Sequence, residues 1–321
     1  MKRAGYLITA ILLSAGILSS CGGKGGQSAL TLLSQSSSGA ETEGAKQPAA
    51  TPTVTPTFTP TPTAVTEPEN PTPAAFPTPI PDPHEDLSFY DPLDFFKDVV
   101  YCGDSNMNLY QWLANYSTHP EIFGKRVPTS WLTMNSYSVR LALKKVDKLT
   151  EEEAACVPKF QGQPVNLWDA VAWTGKTRVI MFFGLNDIGW TGIDWFIKNY
   201  EAVIANIKWA SPNAKFYILS ITPMRKDMER GDRLCNEKIR EANERLKQMC
   251  EENGWTYVDV ASKLCDENGD LILELPDGTK ISDGTNVHLT RDGYVFWDEA
   301  LERLAREELR KEYYERLAAE E

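Results

Sequence analysis

The sequence predicts an α/β domain, a doubly wound parallel sheet flanked by helices, behind a first quarter that builds no core. Three observations carry this. Short apolar runs without alternation recur at Asp98 to Cys102, Arg178 to Phe183, Lys215 to Ile221 and Thr256 to Val260, the pattern of parallel strands covered on both faces. Amphipathic helical stretches lie between them. About 235 residues follow the low-complexity start, enough for one domain with a real core.

Residues 1–21 read as an export signal. Lys2 and Arg3 form a positive n-region, and Tyr6 to Leu18 is an apolar stretch short for a membrane span. It ends in Leu18-Ser19-Ser20-Cys21-Gly22, which resembles a bacterial lipobox and implies a lipid on Cys21. The plainer alternative is a secretory signal cut at small residues. Residues 22–86 run through Gly and Ser and then Thr-Pro repeats such as Thr59-Pro60-Thr61-Pro62-Thr63, a disordered and semi-rigid stalk. Fully extended it would reach ~190 Å.

The domain is expected over 87–321. Asn108 to Ala114 reads as a helix, as does Ile193 to Ala210. Asp232 to Glu252 sets Leu234, Ile239, Ala242, Leu246 and Met249 on one face, with Gly254 where a C-cap glycine belongs. Residues 149–166 lack periodicity and are expected to be irregular. Leu271 to Ile281, centred on Pro276-Asp277-Gly278, reads as a hairpin. A final helix spans Thr290 to Leu317, Thr290 being a good N-cap.

Three clusters bear chemistry. Gly103-Asp104-Ser105 follows the first apolar run, Gly184-Leu185-Asn186-Asp187 follows the next, and His288 lies in Asp283-Gly284-Thr285-Asn286-Val287-His288. A serine nucleophile, a side-chain amide for an oxyanion and an imidazole base are what acyl transfer needs. The chain has three histidines, and His84 and His119 stand beside prolines in polar tracts, so His288 is the one placed to act as base. The simpler reading of Asp104-Ser105, a helix cap, does not account for the Asn-Asp loop. Ser105 opens a helical stretch, so its backbone N–H can face an oxyanion. Trp190, between Gly189 and Gly192, is flat enough to stack on a sugar, or else it packs on the next helix with Trp195.

The ordered trio resembles the SGNH (GDSL-like) hydrolases over roughly residues 95 to 305. The resemblance implies a flavodoxin-like three-layer sandwich, Ser105 as nucleophile, Asn186 as an oxyanion donor, and a further backbone donor at Ser136, where the family has glycine. It also implies an acid near His288. The family's aspartate stands three residues before the histidine, where this chain has Thr285; Asp283 is the nearest acid, and the alternative is a Ser-His dyad oriented by a carbonyl.

The implied protein is a lipid-anchored serine esterase at the outer face of a bacterial membrane, cleaving O-acyl esters, foremost O-acetyl, on carbohydrate. An acyltransferase to glycan and an inactive glycan-binding surface protein are the alternatives. Acylated carbohydrate or a small ester is the expected partner, the membrane only through Cys21. No cofactor is implied, and no Cys-x-x-Cys or His/Cys cluster suggests a metal. The net charge of -12 argues against a nucleic-acid partner.

Overall fold

A computed structural model describes residues 82–114 and 130–320. The expected signal, Cys21 and nearly all of the stalk lie outside the described residues. Residues 82–86, expected in the stalk, already fold: a 3₁₀ turn at Pro83–Glu85 stacks His84 on Tyr313, ring centroids 3.9 Å apart.

Helix α1 (Pro92–Phe96) leads into strand β1 (Val99–Gly103), all five residues of which are buried. Helix α2 (Ser105–Ala114) follows directly, and β2 (Ser130–Thr133) comes next. Then come α3 (Val139–Leu143) and α4 (Glu151–Ala154). Strands β3 (Lys159–Phe160) and β4 (Gln163–Pro164) form a small separate hairpin, and α5 (Leu167–Thr174) leads to β5 (Arg178–Phe182). Helices α6 (Ile188–Thr191) and α7 (Ile193–Ala210) precede β6 (Lys215–Leu219); α8 (Asn236–Asn253) precedes β7 (Thr256–Val258). Helix α9 (Arg291–Glu320) closes the described chain.

The sheet is parallel throughout in the order β2-β1-β5-β6-β7. From β1 the chain moves one way to β2 and then returns to the other side for β5. The switch point is therefore the crevice between the carboxyl ends of β1 and β5, where an open α/β sheet receives ligands. Helices α1, α2 and α9 pack together, and α3, α5, α7 and α8 form the second group. The doubly wound architecture is as the apolar runs predict.

Helix α7 buries Phe196, Tyr200, Val203, Ile204 and Ile207, one stripe at helical spacing. Helix α8 buries Ile239, Ala242, Leu246 and Met249 and ends on Gly254 at φ 69°. It starts four residues later than expected, because Leu234 and Cys235 are extended and the buried Asn236 side chain bridges both Met224 N–H and C=O. Strand β6 stops before Ile221, whose N–H and C=O are both taken by the Asn243 side chain. Thr290 caps α9 by accepting from Gly293 N–H. The expected hairpin forms, with Glu274 bridged to Lys280 and Gly278 at φ 89°.

Residues 149–166 are more regular than expected. Thr150 and Glu153 close a reciprocal capping box on α4, and Gln161 (φ 50°) and Gly162 (φ 82°) make the turn of the β3–β4 hairpin.

A buried aromatic cluster joins α2 to α9. Trp297 of α9 meets Tyr110 of α2 at 5.2 Å between centroids, the Tyr110 hydroxyl donates to Asp298 at 2.7 Å, and the Tyr294 hydroxyl donates to the Asn106 carbonyl at 2.9 Å. Helix α2 begins at Ser105 and α9 begins three residues after His288, so this packing fixes the two loops against each other.

Candidate active site

Gly103 and Ser105 stand at the carboxyl end of β1. A Cβ on Gly103 would lie 2.7 Å from Met107 Cβ and 2.8 Å from the Phe182 carbonyl, so only glycine lets β1, β5 and α2 meet here. Asp104 is buried; its carboxylate accepts from Asn106 N–H at 2.9 Å and caps α2. Burial pushes its carboxyl up to about 7, with neighbouring backbone N–H groups opposing. Ser105 itself is half-buried.

His288 Nε2 lies 2.9 Å from Ser105 Oγ across 183 residues of sequence. Burial lowers the His288 pKa below the usual imidazole value, Asp283 opposing, so the ring is neutral at neutral pH and can accept a proton. The loop carrying it is tied internally: Asp283 N–H donates to the His288 carbonyl at 3.2 Å, and His288 N–H donates to Thr285 Oγ1 at 3.2 Å.

Asp283 is the one carboxylate within 4.0 Å of the imidazole among the described residues, and its Oδ2 stands 3.9 Å from Nδ1. That is an ion-pair distance and too long for a hydrogen bond. The other oxygen, Oδ1, accepts from Thr285 N–H at 2.8 Å and from the Thr285 hydroxyl at 2.6 Å. Thr285, in the place of the family's aspartate, thus holds Asp283 back from the ring.

Asn186 follows β5. Gly184 precedes it at φ 143°, where a Cβ would lie 2.3 Å from Ile221 Cδ1. The Asn186 amide donates to the Tyr137 carbonyl at 3.1 Å and reaches Asp104 Oδ2 at 3.5 Å. Asp187 is buried and accepts from the N–H groups of Val139 and Arg140 at 3.2 and 3.3 Å, and burial pushes its carboxyl up to about 7. It therefore anchors the segment that follows Ser136 to the Asn186 loop.

Ser136 adopts φ 62°, the left-handed conformation that favours glycine. Its segment is tied to the nucleophile's helix by the Asn108 amide, which donates to Asn135 Oδ1 at 3.0 Å, and to the end of β1 by Met134 N–H, which donates to the Gly103 carbonyl at 3.2 Å. Ser136, Ser138, Arg140, Asn186, Trp190 and Thr191 line one cavity of about 440 Å³. Trp190 is 72% exposed, with the Arg233 guanidinium over its ring. It is not packed into the domain; Trp195 does pack on the core. Cys102 is fully buried and its thiol pushed far up, which leaves it inert. Cys21 lies outside the described residues.

All the described site residues expected from sequence gather at the β1–β5 switch point or its rim. Missed was Arg225, whose Nη1 donates to the Gly284 carbonyl at 2.8 Å and whose backbone N–H donates to the Asn286 carbonyl at 2.9 Å. Bidentate pairing with Asp227 at 3.0 and 2.7 Å fixes the guanidinium. Nothing near Arg225 in the sequence signals a contact with a loop some sixty residues on. Among the described residues no His, Cys, Asp and Glu side chains cluster as a metal site would require.

The family model for the GDSL-like lipase/acylhydrolase family matches residues 102–296, a stretch that holds all three motif blocks and more than half of the chain. The chain belongs to that family. No curated protein matches it. Among solved structures it resembles a GDSL-like lipase from Bacteroides thetaiotaomicron, at 17% identity and a TM-score of 0.45, with 69% of this chain and 94% of that one covered. It also resembles a variant of an acetyl-xylooligosaccharide esterase from Geobacillus, at 12% identity and TM-score 0.40, covering 64% and 93%. A third is the periplasmic domain of a lipopolysaccharide acetyltransferase from Salmonella, at 15% identity and TM-score 0.44, covering 64% and 82%. Membership makes this an ester-acting enzyme family with the five-stranded parallel sheet described above.

Proposed function

We propose that this GDSL-family chain is a serine esterase that removes O-acyl groups, foremost O-acetyl, from carbohydrate, and that it works at the outer face of a bacterial membrane on a lipid carried by Cys21. The observation that carries the chemistry is the 2.9 Å contact between His288 Nε2 and Ser105 Oγ. Neutral His288 takes the hydroxyl proton as Ser105 attacks the ester carbonyl, then gives it to the departing alkoxide; water repeats the cycle on the acyl-enzyme. The oxyanion meets the Ser105 N–H at the head of α2, the Asn186 amide and the Ser136 N–H. Asn186 can turn to it by giving up its weakest bond, the 3.5 Å contact with Asp104. Asp283 serves as counter-charge to the imidazolium. The polar cavity with an exposed tryptophan at its edge supports a sugar substrate. The low-complexity stretch over 22–86 and the lipobox-like Leu18 to Gly22 support the location.

Labelling with a fluorophosphonate tests the chemistry. Unaltered protein should label at Ser105 and hydrolyse p-nitrophenyl acetate. Ser105→Ala should do neither, and His288→Ala should lose about 10⁴-fold or more in rate. Absence of labelling would leave a surface glycan binder as the reading.

A further inference from the structure

The cavity beside the catalytic serine has an unusual neighbour. Arg233 Cζ stands 4.6 Å from the centroid of the Trp190 ring, a cation–π contact at the cavity's edge. Its place there is fixed from the backbone as well. A Cβ on Gly189 would lie 3.3 Å from the Arg233 carbonyl, so the turn that carries Arg233 seats against α6, directly after Asn186-Asp187.

The charges around this point decide what it can take. Arg140 in the cavity wall is held by Glu153 at 2.8 Å, a carboxylate that Lys144 also meets, and Arg225 under the histidine loop is matched by Asp227. Asp187, the cavity's acid, is buried with both oxygens on backbone N–H groups. Arg233 is exposed, and among the described residues no carboxylate pairs with it. Other exposed arginines among the described residues, Arg291, Arg303 and Arg316 for example, also lack a carboxylate partner; Arg233 is set apart by standing on the Trp190 ring at the mouth of the site.

We propose that Trp190 and Arg233 form a subsite for an anionic sugar, with the guanidinium taking the carboxylate of a uronic acid residue while the ring packs on the sugar. This rests on the reading of the site as a carbohydrate esterase. A planar guanidinium matches a planar carboxylate with two parallel hydrogen bonds. A single uncompensated arginine balances one negative charge; a sugar phosphate brings about 1.5 to 2 and would call for a second cation. The ring's 72% exposure leaves most of its surface open to a pyranose even with Arg233 in place.

Calorimetric titration of the intact protein with an unacetylated oligogalacturonide, and with a neutral xylo-oligosaccharide of equal length, tests this. The uronide should bind at least tenfold more tightly at low salt, and the margin should shrink as salt rises. Arg233→Gln and Arg233→Glu should each abolish the margin, leaving neutral-sugar binding and p-nitrophenyl acetate turnover nearly as they were. Melting should fall by no more than about 2–4 °C, the most that loss of the cation–π contact allows. Arg233→Lys should keep part of it, since it retains charge without the fork. Equal affinity for the two sugars, no binding of either, or a margin that survives Arg233→Gln would overturn the proposal. Failure of the esterase reading shows elsewhere, as unlabelled Ser105 and no ester turnover, because calorimetry reads the subsite without catalysis.

Discussion

Replacing Asp283 by asparagine separates two ways in which an acid can help a catalytic histidine. A carboxylate that accepts directly from Nδ1–H fixes the tautomer as well as stabilising the imidazolium, and its loss costs about 10⁴-fold. Here Oδ2 stands 3.9 Å from Nδ1, so the charge acts without the bond. Two unit charges at about 4 Å interact by about 1 kcal/mol in water and about 4 kcal/mol at an effective dielectric of 20. The two side chains are 28% and 31% exposed, which places the effect toward the lower half of that range. At 1.36 kcal/mol per tenfold, Asp283→Asn should lower kcat/KM for p-nitrophenyl acetate by about 5- to 70-fold.

The pH profile carries a second, signed expectation. His288 must be neutral to act as base, so activity falls as pH drops through its pKa. Burial lowers that pKa and Asp283 raises it, so Asp283→Asn should move the acid limb of kcat/KM to lower pH. Asp104 and Asp187 also titrate near neutrality, but both remain in the variant, so the comparison isolates Asp283. Thr285→Val, which removes the hydroxyl from Asp283 Oδ1, keeps the backbone N–H on it and unties His288 N–H, should cost less than Asp283→Asn. A loss near 10⁴-fold, or a limb that moves to higher pH, would refute the view that Asp283 acts by charge alone; no loss would mean that it is not the acid.

Three further outcomes rest on the geometry. Trp190→Ala should weaken kcat/KM for acetylated oligosaccharides and spare p-nitrophenyl acetate; since the exposed ring forfeits little beyond a cation–π contact of about 0.5–1 kcal/mol, melting should fall by no more than about 2–4 °C, and a larger fall would mean that it is a packing residue. Arg225→Ala removes the clamp on the Gly284 carbonyl and should lower kcat by about tenfold or more with KM little changed, partly restored by Arg225→Lys; unaltered kcat would show that the loop holds itself. Ser136→Gly should relieve a left-handed backbone costing roughly 1–2 kcal/mol, offset in part by glycine's freedom in the unfolded chain, for a net gain of about 0.5–1 kcal/mol in denaturant unfolding. Activity should be kept, since the N–H remains; a tenfold loss would give the Ser136 hydroxyl a role.

How much the sequence reveals depends on how local each signal is. Helix α7 is legible because its buried stripe, Phe196 through Ile207, is written at the helical period. Strand β2 is not, since four residues at the sheet edge, only two of them buried, carry no pattern distinguishable from loop. The capping box of α4 is visible in Thr150 and Glu153, but the Gln161 turn is not, because glutamine gives no hint of a positive φ. Ser105, Asn186 and His288 are legible for the same reason as α7: each follows its own strand or motif, and the chemistry of the residue types narrows the roles.

The distances that decide how well these residues work are another matter. The resemblance marks Ser136 as a departure, yet only the backbone shows that serine accepts the glycine conformation there. The spacing around His288 suggests an insertion, but an insertion sets no distance. That 3.9 Å is set by the Thr285 hydroxyl, by Arg225 reaching main-chain carbonyls, and by the Tyr110–Trp297 packing that seats α9 on α2. None of these contacts repeats or has a motif, and two of the three join residues far apart in the chain. The parts of acyl transfer are thus written locally, whereas the last ångström between base and acid belongs to the tertiary structure. For this reason Asp283, the residue the sequence leaves most open, is where kinetics will be most informative.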